Sequence, residues 1–311
     1  MRKPWFDDEK ALAAVEARGV DRRDFLKICS TFAAALGLSQ VPFAAKVAQA
    51  VEGAAAKPPV IWMEGLDCAG CSISFAGSLN PPAASILLDT ISLRYHEALS
   101  AAAGHQVEEA FHHTIEEGGH VLIVEGAVPT ADPRYCMVGG KSFEENLKAA
   151  AEKCAAIICV GACSSFGGVT GSMVCKGVGV ADIITDKPII KLSTCPVHPE
   201  HLVGTVLYFL ATGQVPELDE HGRPTAFFGG NIHDNCRRRG HYDAGRFVTD
   251  WNDPAQKDYC LVTKGCKGPM VMSDCPVRLW NDRTNFRIDC GCGCHGCAEP
   301  TFYEKMSPLF L

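Results

Sequence analysis

Seventeen cysteines in a chain of 311 residues are the feature that most restricts how this protein can fold. A chain of this length, with 47% hydrophobic residues, builds a core large enough to fold without disulfide staples. The thiols therefore need another explanation, and metal binding is the leading one. We expect a fold that brings cysteines distant in sequence to common points.

The charge of the chain argues against a nucleic-acid partner. The formal net charge is −7, and leaving out residues 1–50, which hold eight basic and six acidic residues, gives 21 minus 30, or −9, for the rest. Beyond that first segment no stretch approaches the roughly 20 apolar residues of a membrane span. We expect a mature chain with no span of its own, soluble or held at a membrane through partners.

The first 50 residues are typical of an export signal. Arg22-Arg23 and Phe25-Leu26-Lys27 precede a mildly apolar stretch, and this order resembles a twin-arginine signal; the alternative is a basic N-cap on a surface helix. Cleavage is expected after Ala50 or Ala56. The signal predicts a periplasmic protein that folds around a cofactor before export. Cys29 lies inside this segment and is left out of the site.

From about residue 58 to 215, short apolar runs alternate with helical segments, which predicts an α/β fold with a parallel sheet. Gly213 is a plausible helix stop, and after about residue 216 the chain becomes rich in Gly, Pro, Cys and Asn. We therefore predict one domain at 51–215 and a smaller, irregular, metal-stabilised domain at 216–311. The clearest predicted strands are Val60–Met63, Val121–Val124, Ala155–Val160 and Ile189–Leu192. The predicted helices are His96–Glu117, Ser142–Lys153 and Pro199–Ala211.

Four cysteines follow predicted strands. Cys68 and Cys71 follow the first strand, Cys163 follows the third and Cys195 the fourth. The carboxyl ends of parallel strands line the crevice where ligands bind, so these loops can deliver four thiolates to one point. Four thiolates are the ligands of a cubane iron–sulfur cluster. The first pair alone would also suit a thioredoxin-like redox motif.

A second group combines an imidazole with three thiols: His233, Cys236, Cys260 and Cys266. Taken alone, three sulfurs and one nitrogen suit structural zinc. Beside a four-thiolate site, a cluster with one histidine ligand is favoured. Neutral imidazole in place of a thiolate removes negative charge and eases reduction.

A third group holds five thiols within 23 residues, with glycines between several of them. Disulfides are the alternative, which export makes more credible, but the alternation of Cys and Gly also lets the backbone wrap a cluster. The group is Cys275, Cys290, Cys292, Cys294 and Cys297. The remaining cysteines are expected to be buried small apolar residues: Cys136, Cys154, Cys159 and Cys175.

These motifs together resemble one family, the small subunit of nickel–iron hydrogenases, from the export signal to about Pro300. The upstream motifs are Val60-Ile61-Trp62, Asp67-Cys68-Ala69-Gly70-Cys71, Gly161-Ala162-Cys163-Ser164-Ser165-Phe166-Gly167-Gly168 and Cys195-Pro196-Val197-His198-Pro199. The downstream motifs are His233-Asp234-Asn235-Cys236, Gly265-Cys266-Lys267-Gly268-Pro269 and Cys294-His295-Gly296-Cys297-Ala298-Glu299-Pro300.

The resemblance implies a flavodoxin-like domain and three clusters that conduct electrons. A proximal [4Fe–4S] cluster would be held by Cys68, Cys71, Cys163 and Cys195. A distal [4Fe–4S] cluster would be held by His233, Cys236, Cys260 and Cys266. A medial cluster, usually [3Fe–4S], would be held by Cys275, Cys294 and Cys297.

The resemblance also places the catalytic nickel–iron centre on a large partner subunit, so no residue of this chain is expected to be catalytic. The reaction of the pair is the interconversion of dihydrogen with two protons and two electrons. The expected electron partner is a cytochrome or a membrane quinone-reducing subunit.

Two departures from the family pattern affect the clusters. Gly70 and Gly168 match the extra cysteines of oxygen-tolerant relatives, so a plain proximal cubane and sensitivity to oxygen are expected. Cys290 and Cys292 stand where the family tends to have a small residue and a histidine. Either one is a candidate fourth medial ligand, which would make that cluster [4Fe–4S], although in relatives with a four-iron medial cluster the extra cysteine matches Arg287.

Two rival functions stay open at this point. An electron-transfer subunit of another complex on the same fold, such as a quinone reductase, would lack the cysteine-rich second half. An exported binding protein stabilised by zinc or disulfides would explain the thiols without redox chemistry. The run Arg237-Arg238-Arg239 either docks a redox partner or is a solvated charged face.

Overall fold

The computed structural model describes residues 57–79 and 82–307. The predicted export signal, both candidate cleavage sites and Cys29 lie outside these residues, so those interpretations stay predictions.

A five-stranded parallel sheet forms the centre of the first part of the chain. Numbered along the chain, the strands stand in the order 2-1-3-4-5, which is the flavodoxin-like arrangement. This confirms the predicted α/β class. The strands are β1 (Pro59–Glu64), β2 (Ser92–His96), β3 (Val121–Glu125), β4 (Ala156–Val160) and β5 (Ile189–Leu192).

The central strands are buried along their whole length because helices cover both faces of the sheet. Every residue of β3 and β4 is buried. Apart from Glu125 at the end of β3, both are continuous apolar runs, which are typical of parallel strands. Ile61 and Leu122 face one hydrophobic cluster, while their neighbours Trp62 and Ile123 face the other. The alternation of side chains across each strand thus builds two core layers.

Two helix boundaries follow from local sequence signals. Ser142 caps a helix through a capping box, since its Oγ accepts from Glu145 N–H at 3.3 Å and the Glu145 carboxylate accepts from Ser142 N–H at 2.8 Å. Gly213 ends another with a left-handed φ of 64°. The helices are α1 (Gly70–Ala76), α2 (His105–Glu117), α3 (Phe143–Glu152), α4 (Gly161–Phe166), α5 (Pro199–Thr212), α6 (Thr225–Phe228), α7 (Arg239–Asp243) and α8 (Cys275–Arg278).

The prediction of a helix from His96 to Glu117 was wrong at its start. His96 ends strand β2, and the helix begins only at His105, after Gly104 with φ 59°. The buried His96 ring accepts the N–H groups of Ala98 and Leu99 at Nδ1, at 3.1 and 3.3 Å, which fixes a turn directly after the strand. A side-chain acceptor that competes with helical hydrogen bonds explains the difference.

Residues 216–307 are irregular, as the composition predicts. They contain short helices, 3₁₀ turns and isolated β-bridges. Phe227, Phe228, Ile232 and Phe286 nevertheless belong to the same hydrophobic cluster as β1 and α5, so the core continues across the predicted boundary at 216, and the division there stays a prediction. Within the described residues, no helix has the length and hydropathy needed to cross a bilayer. Short elements outside the helices named above are Ala83–Ser85, Ile86–Thr90, Pro133–Tyr135, Gly168–Ser172, Val180–Asp182, Pro254–Gln256, Val262–Lys264, Gly268–Met270 and Phe302–Met306, with two-residue strands at Val128–Pro129, Met137–Val138, Lys141–Ser142 and Gly177–Val178.

Candidate metal centres

The first predicted set of cysteines comes together at the carboxyl ends of the strands. Cys68 lies in the loop after β1, Cys71 on α1, Cys163 on α4 and Cys195 after β5. Cys163 and Cys195 each raise the pKa of the Cys71 thiol, and Cys68 acts on both of them. The four thiols are therefore near neighbours, as the strand-end positions predict.

Burial, with a smaller contribution from the neighbouring thiols, raises the pKa of Cys71, Cys163 and Cys195. The pKa of Cys163 rises to about 11 and that of Cys195 to about 12, while that of Cys71 lies well above its ordinary value. Without a cation these thiols hold their protons at neutral pH. A metal that binds here replaces protons with positive charge, which is the ordinary coupling between metal affinity and thiol ionisation.

Three glycines form a cradle around the same sulfurs. A Cβ at Gly161, whose φ is +87°, would lie 2.6 Å from Cys71 Sγ, and one at Gly168, with φ +51°, would lie 2.9 Å from Cys163 Sγ. At Gly70 the corresponding distance to Cys68 Sγ is 3.1 Å. The backbone can approach the sulfurs at these positions because glycine has no side chain. The residues present therefore fit a four-thiolate cluster.

The buried carboxylate of Glu125 fixes the start of α1 beside this cradle. It accepts the backbone N–H groups of Cys71 at 2.9 Å and Ser72 at 3.0 Å, the Ser72 hydroxyl at 2.6 Å and the indole N–H of Trp62 at 3.2 Å. Burial raises the pKa of this carboxyl. Glu125 was not among the predicted site residues. Its place as the last residue of β3, at the same end of the sheet as Cys68, was the available signal.

An acidic cluster surrounds this anchor. Glu64, Asp67 and Glu125 each place a carboxylate oxygen within 4.8 Å of the others. Burial raises the pKa of all three carboxyls. Glu64 ends β1 as Glu125 ends β3, so parallel pairing of the two strands brings the carboxylates together.

The second predicted set also comes together. His233, Cys236, Cys260 and Cys266 line one small cavity, and Cys266 acts on the pKa of both other thiols. Burial lowers the pKa of His233, which favours the neutral ring, the form that binds metal. The exposed Tyr242 packs edge-on against this ring, with 4.5 Å between centroids.

The third set lines a larger cavity of about 520 Å³ between the other two. Cys275, Cys294 and Cys297 act on one another electrostatically, and burial is the main cause that raises the pKa of Cys275 and Cys297 to about 11. Cys290 and Cys292 line the same cavity and are exposed. The predicted medial ligands and both unexplained thiols thus face one space.

Each pair of neighbouring sets is joined by residues of the sets themselves. Cys195, in the first set, lines the same cavity as Cys297 of the third. The backbone N–H of Cys294, in the third set, donates to Cys266 Sγ of the second at 3.2 Å. The order in space is therefore first, third, second.

The remaining cysteines agree in most respects with the sequence analysis. Cys154, Cys159 and Cys175 are buried, whereas Cys136 is only half-buried against the core. Every cysteine in the part of the chain that the structure describes is a free thiol. The disulfide alternative therefore finds no support there.

The run of three arginines is occupied by internal contacts. Arg237 pairs with Asp289 at 2.9 Å. Arg238 is buried and donates to the carbonyl oxygens of Lys257 and Tyr259, at 2.9 and 2.7 Å. Arg239 bonds the carboxylates of Asp234 and Asp243, at 3.1 and 2.9 Å. These contacts favour a structural role over a docking patch.

Comparisons with known proteins agree with the arrangement of the site. Residues 228–310 match the family described as the C-terminal part of the NiFe/NiFeSe hydrogenase small subunit, and residues 68–209 match the family described as the 20 Kd subunit of NADH ubiquinone oxidoreductase. The second match covers only the α/β part, which an electron-transfer subunit of a quinone reductase would share. The first match covers the cysteine-rich part, which such a subunit would lack.

Relatives that match over nearly the whole chain are hydrogenase small subunits. The uptake hydrogenase small subunit of Azotobacter vinelandii is 45% identical over 298 residues, 93% of this chain and 82% of the relative. The hydrogenase-1 small chain of Escherichia coli K12 is 42% identical over 309 residues, 97% of this chain and 82% of the relative. A solved structure of the reduced, active Ni-Fe-Se hydrogenase from Desulfomicrobium baculatum superposes with a TM-score of 0.77 at 35% identity, covering 82% of this chain and 99% of that one.

A parallel α/β domain with thiols at its strand ends, followed by an irregular cysteine-rich segment, defines an iron–sulfur protein of electron transfer. The chain belongs to the small-subunit family of nickel–iron hydrogenases. It is part of a hydrogenase, and its role there is to transfer electrons.

Proposed function

We propose that this chain holds three clusters in a line and relays electrons between the nickel–iron centre of a large subunit and an external redox partner. The observation that carries the proposal is that neighbouring sets meet: Cys195 and Cys297 line one cavity, and the Cys294 N–H donates to Cys266 Sγ at 3.2 Å. Bound clusters would supply sites that accept and release single electrons. Contact at each step keeps the distances between such sites short.

The residues of the chain do the remaining work. Buried thiols lose their protons when metal binds, backbone amides donate to the sulfurs, and the core around Ile232 and Ile288 keeps water from the distal side. None of these groups is catalytic. The chemistry of the complex, oxidation of dihydrogen to two protons and two electrons or the reverse, belongs to the partner.

The proposed cluster types follow the donor sets. Four thiols suit [4Fe–4S] at the proximal position, and three thiols with the His233 imidazole suit [4Fe–4S] at the distal one. Three thiols suit [3Fe–4S] at the medial position, with Cys290 or Cys292 as the candidate fourth ligand for [4Fe–4S]. Both lie at the cavity wall, which supports their candidacy.

A groove beside the proximal thiols, with exposed apolar side chains in its wall, supports docking of the large subunit there. Ile73, two residues after Cys71, is 69% exposed, and Leu79 is 59% exposed. Both line a groove of about 320 Å³ together with Gly70 and Pro196, the neighbours of the proximal ligands. Exposed apolar side chains that share a groove mark an interaction site. The exposed side of the His233 site would then face the electron partner, and the export signal supports a periplasmic location.

Metal analysis of the native complex tests this function. We expect a nickel-containing second chain to co-purify, with roughly eleven or twelve irons and about twelve acid-labile sulfides in the three clusters, in addition to the iron of the nickel–iron centre. Zinc without sulfide would contradict the proposal, as would the absence of a nickel-containing partner.

A further inference from the structure

Cys275 differs from the other two medial thiols in the groups that bond it. Its Sγ lies 3.2 Å from the Ser273 hydroxyl, and Trp280 lines the same cavity as this thiol. The Trp280 side chain also lowers the pKa of the Cys275 thiol, against the larger effect of burial. The Cys294 thiol accepts instead from the backbone N–H of Gly296, at 3.4 Å. A metal-bound thiolate only accepts hydrogen bonds, and an indole N–H only donates them. Ser273 is therefore a donor when Cys275 is a ligand, and the indole is the second donor group at this cavity.

Ser273 is buried, and hydrogen bonds fix its position. Ser273 is 2% exposed, and its backbone N–H donates to the Gly230 carbonyl at 2.9 Å. The next residue, Asp274, donates to the Phe227 carbonyl at 3.0 Å and its carboxylate accepts from His201 at 2.8 Å. Backbone and side-chain bonds thus fix the position of the hydroxyl against the sulfur.

The indole is held by a neutral histidine. Trp280 lies 4.6 Å from the His198 ring, between centroids, and donates its backbone N–H to the Asn285 carbonyl at 2.6 Å. His198 Nδ1 accepts from the Glu200 N–H at 3.2 Å, so its Nε2–H donates to the Leu279 carbonyl at 2.7 Å. His198 thus hydrogen-bonds to Leu279, the residue before Trp280, while its ring packs on the indole.

The loop that carries Trp280 has a strained backbone and is held by an ion pair. Leu279, Asn281, Asp282 and Arg283 have φ of 63°, 54°, 55° and 61°, values that residues other than glycine rarely adopt. Arg283 is tied to the Glu200 carboxylate at 3.2 Å. Strain of this kind persists where the surroundings over-determine it, and it concentrates at functional sites.

We propose that Trp280 and Ser273 are positioning residues that raise the reduction potential of the medial cluster by hydrogen bonding to Cys275. The inference rests on the proposed function, since it requires a cluster on Cys275, Cys294 and Cys297. A hydrogen bond to a ligating sulfur draws electron density from the metal and stabilises the reduced state. Two donors on one sulfur make the medial position a better electron acceptor than its thiolate count alone would.

Redox titration followed by electron paramagnetic resonance tests the inference on the purified complex. The variants are Trp280→Phe, which keeps the ring and removes the N–H, Ser273→Ala, and the double variant. Trp251→Phe is the matched control, since Trp251 is 59% exposed and packs on Lys264. Each single change should lower the medial midpoint potential, the double change should lower it furthest, and the control should leave it unchanged.

A second measurement separates tuning from structural support. Spectra in ordinary and in deuterated water identify the exchangeable hyperfine couplings of the medial signal. Each single variant should show one such coupling fewer than the wild-type chain. Unchanged potentials in both singles would overturn the inference while leaving the three-cluster function intact. If Trp280→Phe loses the medial iron, Ser273→Ala decides alone, and an unchanged potential there also overturns it. A wild-type complex without a medial signal would contradict the proposed function instead.

Discussion

The backbone N–H of Cys294 donates to Cys266 Sγ at 3.2 Å, and this bond joins a ligand of the medial set to a ligand of the distal set. Gly293, the preceding residue, packs closely against the same cysteine, since a Cβ at this position would lie 3.0 Å from Cys266 Cα. One short segment of chain therefore sets the separation of the medial and distal sets. The following predictions test the arrangement piece by piece.

Gly161→Ala should empty the proximal site. The new Cβ would lie 2.6 Å from Cys71 Sγ, in a backbone conformation that favours glycine. The expected result is a loss of about four irons per complex. Gly245→Ala is the matched control, because Gly245 has φ +68° and no neighbour within 4 Å of the added atom. Equal iron content in the two variants would contradict the cradle.

Cys290→Ala and Cys292→Ala test for a fourth medial ligand. If one of these thiols completes the site, its removal should convert a four-iron medial signal into a three-iron one and lower the iron count by about one. Cys136→Ala is the control, since Cys136 lies half-buried at the other hydrophobic cluster. Two unchanged spectra would leave the medial cluster with three cysteine ligands.

Glu125→Ala should destabilise the chain by about 3 kcal/mol, because it leaves buried donors on Cys71, Ser72 and Trp62 without an acceptor. The exposed Glu109 provides the control, and its change to Ala should stay within about 0.5 kcal/mol. Chemical denaturation of the complex measures both. A Glu125 variant as stable as the control would show that α1 does not depend on this carboxylate.

Stability should fall as the pH is lowered from about 6.5 toward 4, in part because of His96. Burial lowers the pKa of this histidine from 6.5 to about 4, so in that window the unfolded chain takes up a proton that the folded chain does not. The contribution is complete above pH 6.5 and lost near pH 4, with an upper bound of about 3 kcal/mol. His96→Asn should flatten the slope of thermal stability against pH, whereas the same change at the exposed His105 should not.

Replacing Arg22 and Arg23 by lysine should hold the complex in the cytoplasm, because the proposed export signal depends on this pair. Fractionation of cells, with hydrogenase activity and iron content measured in each fraction, checks the location. Arg18→Lys is the control. Export of the double variant at the normal level would contradict the twin-arginine interpretation.

The sequence predicted those parts of the molecule that depend on local pattern. Continuous apolar runs such as Val121–Val124 identified central strands, and the cysteines just beyond such strands do come together at their carboxyl ends. Strand β2, with the sequence Ser92–His96, escaped because polar residues interrupt it and only Tyr95 and His96 are buried.

The sequence pattern did not predict contacts between residues that are distant along the chain. Glu125 meets Cys71 across 54 residues of chain, and Trp280 joins the cavity of Cys275 only through a loop with an unusual backbone. No local signal encodes where such a carboxylate or indole will lie. The convergence of the candidate ligands was therefore predictable, whereas the groups around them were not.

Anomalous diffraction at the iron edge from crystals of the native complex is the most direct test of the three-cluster relay. The account predicts three separate groups of iron peaks in this chain, inside the cages of Cys68, Cys71, Cys163 and Cys195, of Cys275, Cys294 and Cys297, and of His233, Cys236, Cys260 and Cys266. A zinc signal at His233, or fewer than three groups of iron, would contradict it.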